Sequence, residues 1–204
     1  MRYFLLSSFL FFSACGVSPY IHLQDSSANT ECMDGLKPGF STALYSTYVN
    51  VAGKHLSGLL MFKKMPDSTT RIVFASEMGI KFFDFEFSKT SFKVHYCIKQ
   101  LNKRAVIGQL KKDISFIIMN GINTSSAKFM RSESEYYFKF KSGKEETYYI
   151  TDLNCTRLIR IENASKRKKK VIINLSGTKG AMADSIYIAH QLFDFNISLK
   201  QLNR

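Results

Sequence analysis

The 204-residue chain has no tryptophan, only 3 prolines and 11 glycines, 4 cysteines, and 16 acidic side chains against 29 basic ones. Each scarcity excludes something. So little proline and glycine rules out collagen-like and linker-like chains. No apolar run reaches the roughly 18 residues of a membrane-crossing helix, which excludes a multi-pass helical membrane protein. Four histidines (His22, His55, His95, His190) are scattered, with no HExxH or HxxxH pair. A GxSxG motif is absent as well, so neither a metal, a cofactor nor a catalytic site is expected and the chain does not read as an enzyme. The shortage of acid leaves a formal charge of +13. That suits nucleic acid, an anionic membrane surface, or no partner in particular.

What is present is apolar and aromatic. Hydrophobic residues make up 45% of the chain, with 18 Phe and 10 Tyr, enough for one domain with a core. The N-terminus reads as an address. Residues 1–14 (MRYFLLSSFLFFSA) place Arg2 before the apolar stretch Phe4–Phe12. A stretch of about ten apolar residues is the size of a signal-peptide core and too short to span a bilayer. Ser13 and Ala14 then precede Cys15. Small residues before a cysteine resemble a bacterial lipobox. That resemblance implies cleavage before Cys15 and lipidation of it; an ordinary secretory signal is the alternative. Two or more acyl chains anchor stably at ~0.8 kcal/mol per buried CH₂. Such an anchor disfavours nucleic acid as a partner. Gly16, not Asp, follows the cysteine, which favours the outer membrane. No acidic cluster follows that would suggest the cell surface, so the periplasmic face is expected. Residues 15–40 read as the lipidated cysteine and a turn-rich tether, with a reach of roughly 25–30 Å. Cys32, Cys97 and Cys155 remain; they allow one intrachain disulfide at most, or free thiols.

Residues 41–204 read as the domain. Apolar alternation marks strands at Leu44–Val51, His55–Lys63, Arg71–Ser76, Ile80–Phe87 and Phe92–Ile98. In the fourth run Phe83, Phe85 and Phe87 share one face, and Phe82, Asp84 and Glu86 the other. In the fifth, Phe92, Val94, Tyr96 and Ile98 align. Over Leu101–Met119 the apolar period lengthens to that of an amphipathic helix. Six more runs follow: Tyr136–Lys141, Thr147–Asp152, Arg157–Glu162, Val171–Leu175, Ser185–Ala189 and Phe193–Leu199. The expected fold is mainly β, about eleven antiparallel strands with one long helix after the fifth. A sheet this long curls. One helix of about 28 Å can cover only part of its concave face. Periodicity alone leaves two outcomes open, an apolar hollow or a filled core.

One stretch carries a family likeness. Phe62-Lys63-Lys64-Met65-Pro66-Asp67 and Arg71-Ile72-Val73-Phe74-Ala75-Ser76-Glu77-Met78-Gly79 resemble a hairpin of the LolA/LolB lipoprotein-localisation family. The likeness runs over residues 40–202 and is nearer to LolB, whose members are themselves lipidated. It implies an incomplete, half-open antiparallel β-barrel over an apolar cavity, in a monomer. It implies a membrane-anchored acceptor that takes acyl chains of lipoproteins from a LolA-like periplasmic carrier and helps insert lipoproteins into the outer membrane. Met78 with Gly79 falls where the family projects an apolar membrane-inserting tip; an ordinary hairpin residue is the alternative. Candidate cavity residues are Phe62, Phe74, Phe83, Phe85, Tyr96, Leu110, Phe138, Phe193 and Phe195, with core packing as the other reading. The run Lys166, Arg167, Lys168, Lys169 and Lys170 suits anionic headgroups or a solvated hairpin tip. Two rivals on the same fold are an envelope docking lipoprotein and a carrier of another lipid.

Overall fold

The computed structural model describes residues 17–27, 30–51, 53–177 and 180–202. The signal sequence and Cys15 lie outside them. The strands are β1 (Gln24–Asp25), β2 (Thr42–Val51), β3 (Lys54–Lys64), β4 (Thr70–Ala75), β5 (Lys81–Phe87), β6 (Phe92–Cys97) and β7 (Lys128–Arg131). They continue with β8 (Glu135–Ser142), β9 (Glu145–Asp152), β10 (Leu158–Ser165), β11 (Lys169–Ser176), β12 (Ser185–His190) and β13 (Phe195–Gln201). The helices are α1 (Thr30–Asp34) and α2 (Arg104–Ile117). No helix among the described residues is long and apolar enough to cross a membrane.

All 13 strands form one antiparallel sheet, in the order β1-β7-β8-β9-β10-β11-β12-β13-β2-β3-β4-β5-β6. The sheet does not close; β1 and β6 are its edges. The eleven runs expected from alternation are all strands, and the long helix follows the fifth of them. β1 and β7 are additional and too short to show a period. The α2 helix lays Leu110, Ile114 and Ile117 against the inner face of the sheet, all buried. Its C-terminal end is fixed there by the Tyr149 hydroxyl, which donates to the Phe116 carbonyl at 3.1 Å.

The tether reading of residues 16–40 does not survive for the part described. Tyr20 and Leu23 are buried on the outer face, in a cluster with Tyr137, Tyr148, Ile150 and Ala164. The Tyr20 ring stacks on Tyr148 at 3.8 Å, and its hydroxyl donates to Glu162 at 2.6 Å. Farther on, Cys32, Met33 and Leu36 enter the main core, and Cys32 forms a disulfide with Cys155. These anchors are separated by turns, so no period betrays them.

Two bulges overturn the expected faces of β5 and β6. Pairing steps from Phe74 with Phe83 to Ala75 with Lys81, which makes Phe82 an extra residue in β5. It steps from Asp84 with Tyr96 to Phe85 with Val94, which makes His95 extra in β6. An inserted residue switches the face of everything beyond it. Phe82 therefore turns inward beside Phe83, and Tyr96 turns outward beside Asp84. A close approach also fixes one glycine: a Cβ on Gly58 would lie 2.1 Å from the Ala75 carbonyl oxygen. There the end of β4 crosses β3 before the chain enters the Ser76–Ile80 turn.

A candidate acyl-binding hollow

Between α2 and the strands β2–β5, β12 and β13 lies a hollow of about 750 Å³. Known small-molecule pockets run from roughly 300 to 1,000 Å³. Its walls are Val49, Val51, Leu56, Leu60 and Ile197 on the sheet, with Leu101, Val106 and Leu110 on the helical side. No lining residue comes from β7–β11. The polar and charged groups along it are Thr47, Lys54, Gln100, Lys103, Gln109 and Asp113.

Asp113 is fully buried and tied down. Gln109 Nε2 donates to its Oδ1 at 2.8 Å, and His190 Nε2 approaches its Oδ2 at 3.0 Å. That approach is at ion-pair distance without hydrogen-bond alignment. The other ring nitrogen, Nδ1, lies 2.8 Å from the Phe195 carbonyl. A carbonyl only accepts, so Nδ1 carries hydrogen and the ring is held in one orientation. The imidazole is stacked on Phe195 at 4.6 Å and on Phe193 at 4.9 Å. This cluster ties α2 to β12 beside the hollow.

The register gathers several turns at one rim of the sheet. They are the β2–β3, β4–β5, β10–β11 and β12–β13 connections, and the exit from β6 toward α2. Met78 stands at this rim, 90% exposed, with Ile80 at 61%. Leu192 and Phe193 are exposed there too. So are Lys166, Arg167 and Lys168, none of them paired with a carboxylate among the described residues.

The structure brings six of the nine expected cavity residues to the hollow: Phe62, Phe74, Phe83, Leu110, Phe193 and Phe195. Three lie elsewhere. Phe85 is on the inner face but packed solid, stacked on Phe83 at 4.3 Å and edge-on to Phe92 at 5.2 Å. Phe138 is buried on β8, in the filled part of the core. Tyr96 is exposed on the outer face, turned there by the His95 bulge. The basic run also divides. Lys169 binds Glu162 at 2.9 Å, and Lys170 binds Glu145 at 2.6 Å, so only Lys166, Arg167 and Lys168 face solvent as a headgroup patch would require. Sequence reasoning missed Phe82, hidden by its bulge. It also missed the β2 and β3 aliphatics Val49, Val51, Leu56 and Leu60, whose period-two alternation is the signal that could have found them.

Burial works to raise the Glu162 carboxyl, but hydrogen bonds from Lys169, Tyr20 and Arg160 outweigh it and hold the group below its ordinary range. Glu145 is likewise lowered, to about 2: burial raises it, and Lys112 and Lys170 more than reverse that. Both groups stand on β9–β10, away from the hollow. Among the described residues no group of three or more His, Cys, Asp or Glu side chains could hold a metal.

No protein-family model matches the chain, and no curated protein matches its sequence. Two solved structures are similar in shape. One is a DUF1329 family protein from Desulfovibrio piger, with TM-score 0.47 and 8% identity, over 85% of this chain and 88% of that one. The other is a candidate outer membrane lipoprotein-sorting protein domain from Vibrio parahaemolyticus, with TM-score 0.47 and 8% identity, over 85% of this chain and 90% of that one. Likeness at this level leaves the functional reading to the hollow itself.

Proposed function

We propose that this protein is a lipid-anchored, non-enzymatic acyl-chain binder of the cell envelope that helps deliver lipoproteins to the outer membrane. The observation that carries the reading is the hollow: about 750 Å³, walled by aliphatic and aromatic side chains, under a single helix. Acyl chains gain by leaving water for such a surface. The rim supports the direction of delivery. An exposed Met78 beside Ile80 is a tip that can enter a bilayer, and Lys166, Arg167 and Lys168 attract anionic headgroups. Anchoring rests on the lipobox-like sequence at Cys15. Tyr20 is fixed on the sheet, so the five-residue stretch back to Cys15 reaches at most about 18 Å. A lipid on Cys15 then holds the domain on the membrane and allows no long stand-off. A LolA-like carrier is the partner this reading calls for.

The test uses the full chain with Cys15→Ser, which keeps a lipid anchor out of the readout. A fluorescent fatty acid should bind, and Leu56→Trp, which fills the hollow, should abolish binding with folding kept. No uptake by the unfilled protein would remove the reading. In the lipidated chain, Met78→Glu should leave cargo binding intact and block release into vesicles. Normal release by that variant would remove the tip assignment. Capture of one stoichiometric envelope protein with no lipid would favour a docking role.

A further inference from the structure

We propose that the hollow selects an anionic amphiphile, with Lys54 and Lys103 holding the head group at its mouth. The inference rests on the hollow taking acyl chains; it does not rest on lipoprotein cargo.

Charge along the hollow is uneven. Among the described residues its only acid is Asp113, which is buried and already engaged by Gln109 and His190. Among the described residues its only lysines or arginines are Lys54 and Lys103. Both are exposed, and neither is paired with a carboxylate among the described residues. They come from opposite walls. Lys54 opens β3, next to the β2–β3 turn, and Lys103 immediately precedes α2. The first turn of α2 contains no acidic residue to compete for them. Gln100 lies between the β6 exit and Lys103 and adds a donor at the same mouth. A lysine stem can line an apolar wall while its ammonium reaches water.

A hydrocarbon tail among Leu56, Leu60, Phe74 and Ile197 therefore leaves the hollow between two ammonium groups. A carboxylate or phosphate head is met by charge-assisted hydrogen bonds, and a neutral head is not. An N-acylated, thioether-linked cysteine brings no anion of its own. The mouth thus suits a free fatty acid or an acidic phospholipid as a ligand of the same hollow that takes the uncharged lipoprotein anchor.

The experiment compares pyrene-labelled hexadecanoic acid, its methyl ester and a pyrene-labelled lysophosphatidic acid on the full chain carrying Cys15→Ser, at low salt. The acid and the phosphate should bind about tenfold tighter than the ester. Lys54→Gln with Lys103→Gln should erase that preference and leave ester affinity unchanged. Lys63→Gln with Lys89→Gln changes net charge equally, at the opposite end of the sheet, and should keep it. The tighter of the two anions identifies the source of the head group. Equal binding of acid and ester by the parent chain overturns the proposal. So does a preference retained by the mouth variant, or one lost equally in the control. If none of the three probes binds, the acyl reading itself falls.

Discussion

Strands β7–β11 and strands β2–β5 with β12 and β13 bury aromatic and aliphatic side chains on the same face of one sheet, against different things. The first group meets α1, the end of α2 and the Cys32–Cys155 disulfide. Its outer face is covered as well, by Tyr20 and Leu23. Along β9, Thr147 through Thr151 are all buried, odd and even positions alike. The second group meets α2 over the hollow, with Phe40 against Phe62 and Ala183 against Tyr45 at its edge, and the space under the helix remains open. Identical alternation thus gives a solid core where three segments converge and a hollow where one helix stands alone. Coverage, not strand composition, decides which half can accept a ligand.

The sharpest way to break that contrast is to truncate one side chain in each half. Phe138→Ala in the filled half should cost about 3–5 kcal/mol, because it leaves a cavity that packed neighbours cannot close. Leu56→Ala at the hollow should cost only about 1–2 kcal/mol, since one side of that leucine already lacks neighbours. Urea unfolding of both variants measures the difference. Equal losses would mean that the hollow is as well packed as the core.

The next effect concerns what fills the filled half. Cys32 and Cys155 are 123 residues apart in sequence, so their link ties the leading segment to the β9–β10 connection. Cys32→Ser with Cys155→Ser should cost about 2–4 kcal/mol and should raise protease cleavage near α1. Affinity for an acyl probe should hardly change, because neither cysteine lines the hollow. A loss of binding without a loss of stability would contradict the separation of the two halves.

Much of this division was hidden in the sequence for reasons that can be named. Alternation revealed the eleven longer strands, and a 3.6-residue period revealed α2, because both faces of each element have contrasting environments. β1 and β7 have too few residues for a period. Phe82 and Tyr96 were placed on the wrong faces, because a bulge adds a residue without leaving a mark in the hydrophobic pattern. Three cysteines allowed three pairings, and only the docking of the leading segment selects Cys32 with Cys155. Hollow and filled core read alike, since the same phenylalanine-rich alternation serves both. His190 and Asp113 meet only because α2 crosses β12, which no local spacing announces.

A smaller effect tests the outer cover of the filled half. Tyr20→Phe keeps the ring stack on Tyr148 and removes one hydrogen bond to buried Glu162, which retains Arg160 and Lys169. The expected cost is about 1–2 kcal/mol. Hydrogen exchange should accelerate in residues 17–27 with little change in β2 and β3. Equal acceleration in both places would show that the cover supports the whole sheet.

The smallest effect follows from acid, and it tests how the helix is shared between the halves. Glu145 on β9 receives Lys112 from α2 and Lys170 from β11, so one carboxylate joins the helix to the filled side. Its value is lowered from 4.5 to about 2. The folded protein therefore binds fewer protons than the unfolded chain between those values. The stability from this group is complete above about pH 4.5 and is lost as pH falls toward 2. Asp84, Glu146 and Glu162 are lowered too, so the parent chain should lose stability in acid through several groups. Glu145→Gln isolates one of them: its curve should lie below the parent at pH 6 and converge with it toward pH 2. The side chain of Glu145 is partly exposed, which keeps the gap modest. If the curves stay parallel throughout, the Lys112 contact contributes nothing to holding α2, and the helix over the hollow depends on its apolar face, the Tyr149–Phe116 hydrogen bond and the His190–Asp113 pair.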